Sequence, residues 1–352
     1  MKDQRSYISS LRDPIDTPLD LVENGECHFG TFKDPFKKMS LLDVKKPCGK
    51  MPSFLRKTRF TEWEAFEINM KDGAFVSAIY KTSTLCFNLV VFYDKNENKV
   101  YEFQDFGRRS KCHLASSLVD TVSSFKTKHS EIIIENNFER GECKAKCISK
   151  NKKFGQIEYE FEATRVSPPS IASMALGKPN PIYSEKDLFK AKGYIKINGK
   201  TYTSDDESTA IVDDHKGYYP YKAHYDWLTT MGKLNIDGEK KFIGFNLTHN
   251  QSIDEANYNE NLLWLEGESY PLPPVTFKHL DKDTWEVKDD YDDVNLVFRI
   301  NKFYKMMVHL GIIDITYRLP FGVIHGYVKD ANGKKYILDG FTGLAEDRSQ
   351  RM

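Results

Sequence analysis

YKAHYDWLTTMGKLNIDGEKKFIGFNLTHN, from Tyr221 to Asn250, reads as a β-hairpin. Two strand-like runs, Tyr221–Thr229 and Lys241–Asn250, flank Asp237-Gly238, a pair that tolerates the positive φ angles of tight hairpin turns. Asn198-Gly199 and Asn332-Gly333 repeat that signal. Further strand-like runs lie at Ala74–Lys81, Leu85–Asp94, Lys99–Phe106, Glu131–Phe138, Ile157–Ala163 and Gly193–Tyr202. Others follow at Val294–Ile300, Ile312–Leu319 and Val323–Lys329. Their number and spacing predict an all-β protein of meandering antiparallel sheets or barrels rather than alternating βαβ units. Leu114, Leu118, Val122 and Phe125 mark one candidate helix, with Ser, Thr and Val content against it.

The clearest break is VSPPSIASMALGKPNPIYS, Val166 to Ser184, with four prolines. It reads as a long surface connection between two β-rich halves, residues 1–175 and 176–352. A chain of 352 residues is long enough for two ordinary domains or one large β-rich one.

Charge narrows the function. Lys+Arg and Asp+Glu are both 51, so the overall field offers no general attraction to nucleic acid or anionic membrane. Lys33–Arg59 holds nine basic and two acidic residues, and Asp281–Asp293 seven acidic and two basic, which read first as solvated faces of opposite sign. No apolar run approaches the roughly 20 residues that span a bilayer. The start, MKDQRSYISSLRD, has no apolar core segment, so a secretory signal is not expected. The six cysteines contain no Cys-x-x-Cys pair and read as free thiols of a cytoplasmic protein. The oligomeric state is left open.

Two polar-aromatic segments carry the candidate site: DDHKGYYPYKAHYDW (Asp213–Trp227) and GFNLTHNQSIDEANYNENLLW (Gly244–Trp264). Buried polar groups need partners, so a run of them beside large aromatics suggests a lined pocket. Asp213, Asp214 and His215 place carboxylates beside an imidazole, but adjacent residues on a strand face opposite ways. His224 and Asp226, two apart, share a face and make the better-spaced proton-transfer pair, with Asp214 in reserve. A polar network closing a turn explains the same residues equally well. Asn246, Thr248 and Asn250 fall on one strand face, Phe245 and Leu247 on the other; a row of amides suits hydroxyls, carbonyls or water. Because Asp237-Gly238 makes the two segments antiparallel neighbours, Asp214, His215, His224, Asp226, Asn246 and Asn250 are expected around one cavity. Tyr218, Trp227 and Trp264 would supply its walls. Glu62, beside Trp63 and Glu64, and Glu266, beside Trp264, are further acids; a pair roughly 5–9.5 Å apart would suit sugar cleavage. No phosphate loop, nucleophile elbow, zinc helix or dinucleotide fingerprint is present. No redox cofactor is expected, and His215 and His224 with Asp214 or Asp226 show no recognised metal-ligand spacing, so no metal is expected either.

GTFKDPFKKMSLLD (Gly30–Asp43), TRFTEWEAFEI (Thr58–Ile68), DHKGYYPYKAHYDW, GFNLTHNQS, YNENLLW, LPPV, PFG and DGFTGLAEDR (Asp339–Arg348) together resemble the family called domain of unknown function 2804. Tyr221, His224 and Tyr225 depart from that pattern, where an Arg is expected after the Pro of GYxP. More distantly the chain resembles the lipocalin-like tandem barrels of carotenoid hydratases and tocopherol cyclases. That resemblance implies two lipocalin-like (calycin-type) barrels or curved sheets in tandem. It also implies an apolar or amphipathic small-molecule ligand and hydratase, cyclase or isomerase chemistry by acid–base catalysis. A glycoside-cleaving enzyme and a non-catalytic lipid or isoprenoid carrier are the alternatives.

Overall fold

Antiparallel strands account for almost all regular structure in the computed structural model, which describes residues 7, 9–177, 180–311 and 313–351. They form two large sheets in tandem. The first runs from Lys99–Arg108 through Leu85–Asp94, Gly73–Lys81, Phe60–Asn69, Thr209–Tyr218, Pro181–Ile197, Gly155–Arg165, Glu142–Asn151, Ser130–Asn137 and Thr121–Lys126 to Cys112–His113. It curls into a nearly closed barrel around Phe66, Phe75, Phe103, Ile132, Tyr159 and Phe161. The second runs from Glu268–Pro271 through Leu262–Leu265, Glu239–His249, Lys222–Ile236, Phe341–Arg351, Ile313–Lys329, Val294–Leu310 and Thr284–Lys288 to Thr276–His279. It makes a half-barrel around Leu228, Phe245, Trp285, Phe298 and Ile324.

The turn chemistry behaves as expected at two of the three pairs, whereas Asn332-Gly333 lies in a longer turn between Lys329 and Lys335 with positive φ at Gly333 alone. Asn198-Gly199 and Asp237-Gly238 take positive φ at both positions, and the second pair joins Lys222–Ile236 to Glu239–His249. Glu142–Asn151 alternates exposed and buried residues along its length, because one of its faces meets solvent and the other the barrel core. No helix among the described residues is long and apolar enough to cross a membrane.

Four expectations are corrected. Val166–Ser184 is not a surface connection: Ser170–Ala175 and the start of Pro181–Ile197 pair inside the first sheet, and every residue of Ser170–Ala175 is buried. Pro168 and Pro169 precede the first of these strands and Pro181 begins the second, where a missing N–H is tolerated, while Pro179 lies outside the described residues. The chain instead changes sheet at Tyr219–Tyr221, between Thr209–Tyr218 and Lys222–Ile236. The candidate helix is an irregular segment followed by the strand Thr121–Lys126, in which Phe125 is buried and Val122 exposed. The β-branched and hydroxyl side chains prevail over the spacing there. Gly193–Tyr202 is a hairpin rather than one strand. Of the run that began at Ile312, that residue lies outside the described residues; the rest merges with Val323–Lys329 into one long strand.

A second tie crosses between the sheets. Arg12 is buried, and its Nη1 donates to the carbonyls of Asn261 (2.8 Å) and Leu272 (3.0 Å) in the second half.

Candidate active site between the sheets

Thr209–Tyr218 lies between Phe60–Asn69 and Pro181–Ile197, and its period-two alternation decides what each side chain meets. Ala210, Val212 and Tyr218 enter the first core, and Asp214 and Lys216 lie on that same face. Ile211, Asp213 and His215 face the second sheet. Register builds three rows on that face: Trp63–His215–Ser184, Ala65–Asp213–Lys186 and Glu67–Ile211–Leu188. The opposing wall carries Ala223, Tyr225 and Trp227, with Glu346 level with Trp227 and Arg348 level with Tyr225. Asn250, Gln251 and Glu260, from the segment after Glu239–His249, close one side.

These groups enclose a cleft of about 500 Å³ of atom-free space. A neighbouring chamber of about 610 Å³ shares Trp63, Asp213, Tyr225 and Glu346, and adds Ala65, Val76, Ala78, Phe87, Leu89 and Met306. Both are narrow: the centre of a water molecule has only about 40 Å³ and 60 Å³ in which to move. The surroundings of Lys186, Asp213 and Glu260 form the polar end; the chamber's wall is mainly aliphatic and aromatic, with Glu67 and Arg348 also lining it.

The polar end is ionic and buried. Lys186 Nζ lies 2.6 Å from Glu260 Oε2, 3.2 Å from Asp213 Oδ1 and 2.7 Å from Ser184 Oγ, which itself donates to Glu260 at 2.6 Å. Burial alone would raise the Glu260 carboxyl, but Lys186, His215 and Ser184 hold it down at about 2. Asp213 goes the other way. Burial, helped by the Glu260 and Glu346 carboxylates and opposed by Lys186, pushes it up to about 6. Glu67 is driven well above the carboxylate range by burial and by Asp213 and Glu346. Burial disfavours the Lys186 ammonium, yet Asp213 and Glu260 more than restore it.

His215 stacks face to face on Trp63, ring centres 4.2 Å apart and 3° from parallel. Its Nδ1 is 3.0 Å from the Tyr219 hydroxyl. Burial, with Lys186, Lys216 and Arg348 adding to it and Glu260 opposing, pushes the imidazole down to about 3. His215 is thus neutral at physiological pH, with a fixed ring plane. Tyr80 continues the stack beyond Trp63 at 5.7 Å and accepts a hydrogen bond from Arg348 Nη2 at 2.9 Å. The Tyr225 hydroxyl donates to Glu346 at 2.8 Å.

Of the residues expected to share a cavity, the structure gathers some and separates others. His215, Trp227 and Asn250 line the cleft, and His224 touches its edge. Asn246 stands behind it, accepting from Trp227 Nε1 at 2.6 Å and donating to the Glu260 carbonyl at 2.8 Å. His224 and Asp226 do share a face and meet at 3.2 Å. The register pairs Trp227 with Thr248, which turns His224 and Asp226 to the concave side of the second sheet, away from Asn246 and Asn250. There Asp226 also meets His279 Nε2 at 3.0 Å, and His224 Nδ1 meets Ser349 Oγ at 2.9 Å. Asp214 is paired to Lys216 at 2.8 Å inside the first barrel, and burial pushes it up to about 7. Tyr218 packs there on Phe60. Trp264 is core between the sheets. Glu62 pairs with Lys81 at 2.8 Å on the first barrel's inner face, and Glu266 accepts from the Phe242 N–H at 3.0 Å.

Sequence reasoning missed Ser184, Lys186, Tyr219, Glu260, Glu346 and Arg348 as site residues. One signal was available: YSEKDLF carries charge on both faces of a strand, which marks a strand whose two faces both meet polar interiors.

The structure is similar to that of kievitone hydratase from Nectria haematococca, with 12% identity, 82% of this chain and 88% of that chain covered, and a TM-score of 0.50. It is equally similar to CghA, solved with Sch210972, at 9% identity, the same coverage and a TM-score of 0.50. At these identities the likeness concerns the fold. A comparison with curated proteins finds no match. The sequence itself matches the family described as domain of unknown function (DUF2804) over residues 12–352, nearly its whole length, and the chain belongs to that family.

Proposed function

We propose that this protein binds a slender, largely apolar small molecule between its sheets and acts on it by cofactor-independent acid–base chemistry of the hydratase, cyclase or isomerase kind. One observation carries the reading: a buried acid poised near neutral pH, Asp213, sits beside a neutral stacked imidazole, His215, at the polar end of an apolar cleft. Enzymes tune carboxyls upward by burial so that a proton is available near working pH. Asp213 would donate that proton to the ligand's unsaturated carbon. His215, oriented by Trp63 and Tyr219, would take a proton from the attacking water or from the ligand. His215 would then release its proton to solvent and Asp213, whose affinity is raised, would take one up, which together restore the starting state. Lys186, itself anchored by Glu260, holds Asp213 in place.

The name of kievitone hydratase is consistent with water addition on this fold. The sugar-cleaving alternative loses two of its proposed acids, since Glu62 and Glu266 are engaged away from the cleft. All six cysteines are free and four are buried, which supports a reducing compartment such as the cytoplasm.

Native mass spectrometry of the purified protein tests the binding half. A retained apolar molecule, displaced in a Trp63→Ala variant, is the expected result; a retained glycan would favour sugar chemistry. Incubating the recovered ligand with enzyme in deuterium oxide tests the other half. Deuterium appearing on ligand carbon supports proton transfer, and an unlabelled, unchanged ligand would make the protein a carrier.

A further inference from the structure

The concave face of the second sheet holds a second constellation, which adjoins the cleft only at His224. Asp226 and Asp347 are direct cross-strand partners in the pairing of Lys222–Ile236 with Phe341–Arg351. Like charges directly opposite each other destabilise a sheet unless a cation lies between them. Asp226 is buried, which sharpens the conflict. Arg318, the neighbour of Asp347 on its other side, is occupied elsewhere: it packs 4.5 Å over Phe303 and donates to the Lys282 carbonyl at 3.2 Å. Asp347 makes no ion pair or hydrogen bond through its carboxylate among the described residues.

We propose that His224, Asp226 and Asp347 form a binding site for a divalent first-row metal ion, Zn²⁺ foremost. One donor atom from each lies within 4.8 Å of the others. Tetrahedral zinc with bonds of about 2.0–2.2 Å spaces its donors at about 3.3 Å, and His224 Nε2 to Asp226 Oδ2 is already 3.2 Å. The supporting contacts are those of a metal site. Histidine ligands are held through their other ring nitrogen, and carboxylate ligands through their other oxygen. Here Ser349 Oγ holds His224 Nδ1 at 2.9 Å, and His279 Nε2 holds Asp226 Oδ1 at 3.0 Å. His279 is itself fixed by stacking on Trp285, ring centres 4.3 Å apart and 3° from parallel. One imidazole and two carboxylates suit Zn²⁺ or Mn²⁺ rather than a thiolate-seeking metal, and leave a position for water. Primary sequence spacing does not reveal the set because its third member comes from the last strand.

Calorimetric titration of metal-stripped, untagged protein with Zn²⁺ near neutral pH tests this. One equivalent is expected to bind to the wild type and raise its Tm. Asp347→Asn and His224→Asn are expected to abolish both effects, and Ser349→Ala to weaken binding by about tenfold or more. Asp347→Asn removes a repulsion and no contact, so the metal-free variant should fold as well as the wild type, and its Tm in chelator checks that. Co²⁺ in place of Zn²⁺ should give visible absorption bands in the wild type alone. Absence of stoichiometric binding, or binding that Asp347→Asn leaves intact, would overturn the assignment.

Discussion

Replacing Lys186 with Met is expected to destabilise the fold by about 3–5 kcal/mol, the usual result of removing one partner from a buried ion pair. Lys186 is the cation that both Asp213 and Glu260 depend on, at 3.2 Å and 2.6 Å. Without it Glu260 keeps only the Ser184 hydroxyl, and two buried carboxylates face each other. Equilibrium unfolding in denaturant measures the loss. Adding Glu260→Gln to Lys186→Met should recover part of it, because a neutral amide no longer needs the ammonium. A loss below about 1 kcal/mol, the range of exposed pairs, would mean that water reaches these groups and that the cleft stands open.

Asp213→Asn should lower turnover by about 10²- to 10⁴-fold while ligand remains bound, the range for loss of a general acid. The amide keeps the shape of the carboxyl but cannot donate a proton in its place. In the wild type the rate should fall as pH rises through about 6, where Asp213 ionises. Stability supplies an independent check. The folded pKa of Asp213 lies above the value of about 3.9 for an unperturbed Asp, so folding favours the protonated form. Its favourable contribution is full below pH of about 4 and is lost as pH rises through about 6. The stability of the wild type relative to Asp213→Asn should therefore increase on acidification across that window. A difference that stays flat with pH would remove Asp213 from the role of buried acid.

Much of the architecture was legible because turns and alternation are local signals. Asp237-Gly238 set the hairpin, and the matching of Trp227 to Thr248 follows from it. Strands with charge on both faces were less legible. Thr209–Tyr218 sits mid-sheet yet reads TAIVDDHKGY, since Asp213 and His215 serve the cleft while Asp214 and Lys216 pair inside the barrel. The polar-aromatic segments did point to the cleft, and to His215, Trp227 and Asn250 in it. Asp226 lies off the cleft and His224 only at its edge, because one residue of register selects the face. Lys186, Glu260 and Glu346 come from strands and a loop far apart in sequence, and no local pattern announces a row assembled by pairing.

The narrowness of the cleft turns occupancy into a question of rates. A space in which a water molecule's centre has only some tens of cubic ångströms cannot be filled by a sizeable ligand without movement of its walls. Those walls belong to different sheets, joined by the chain at Tyr219–Tyr221 and held again by Arg12. If parting of the sheets precedes entry, the observed association rate levels off as ligand concentration rises, at the rate of parting itself. Residence would then be long even at modest affinity, and product departure rather than proton transfer would set the pace of the cycle.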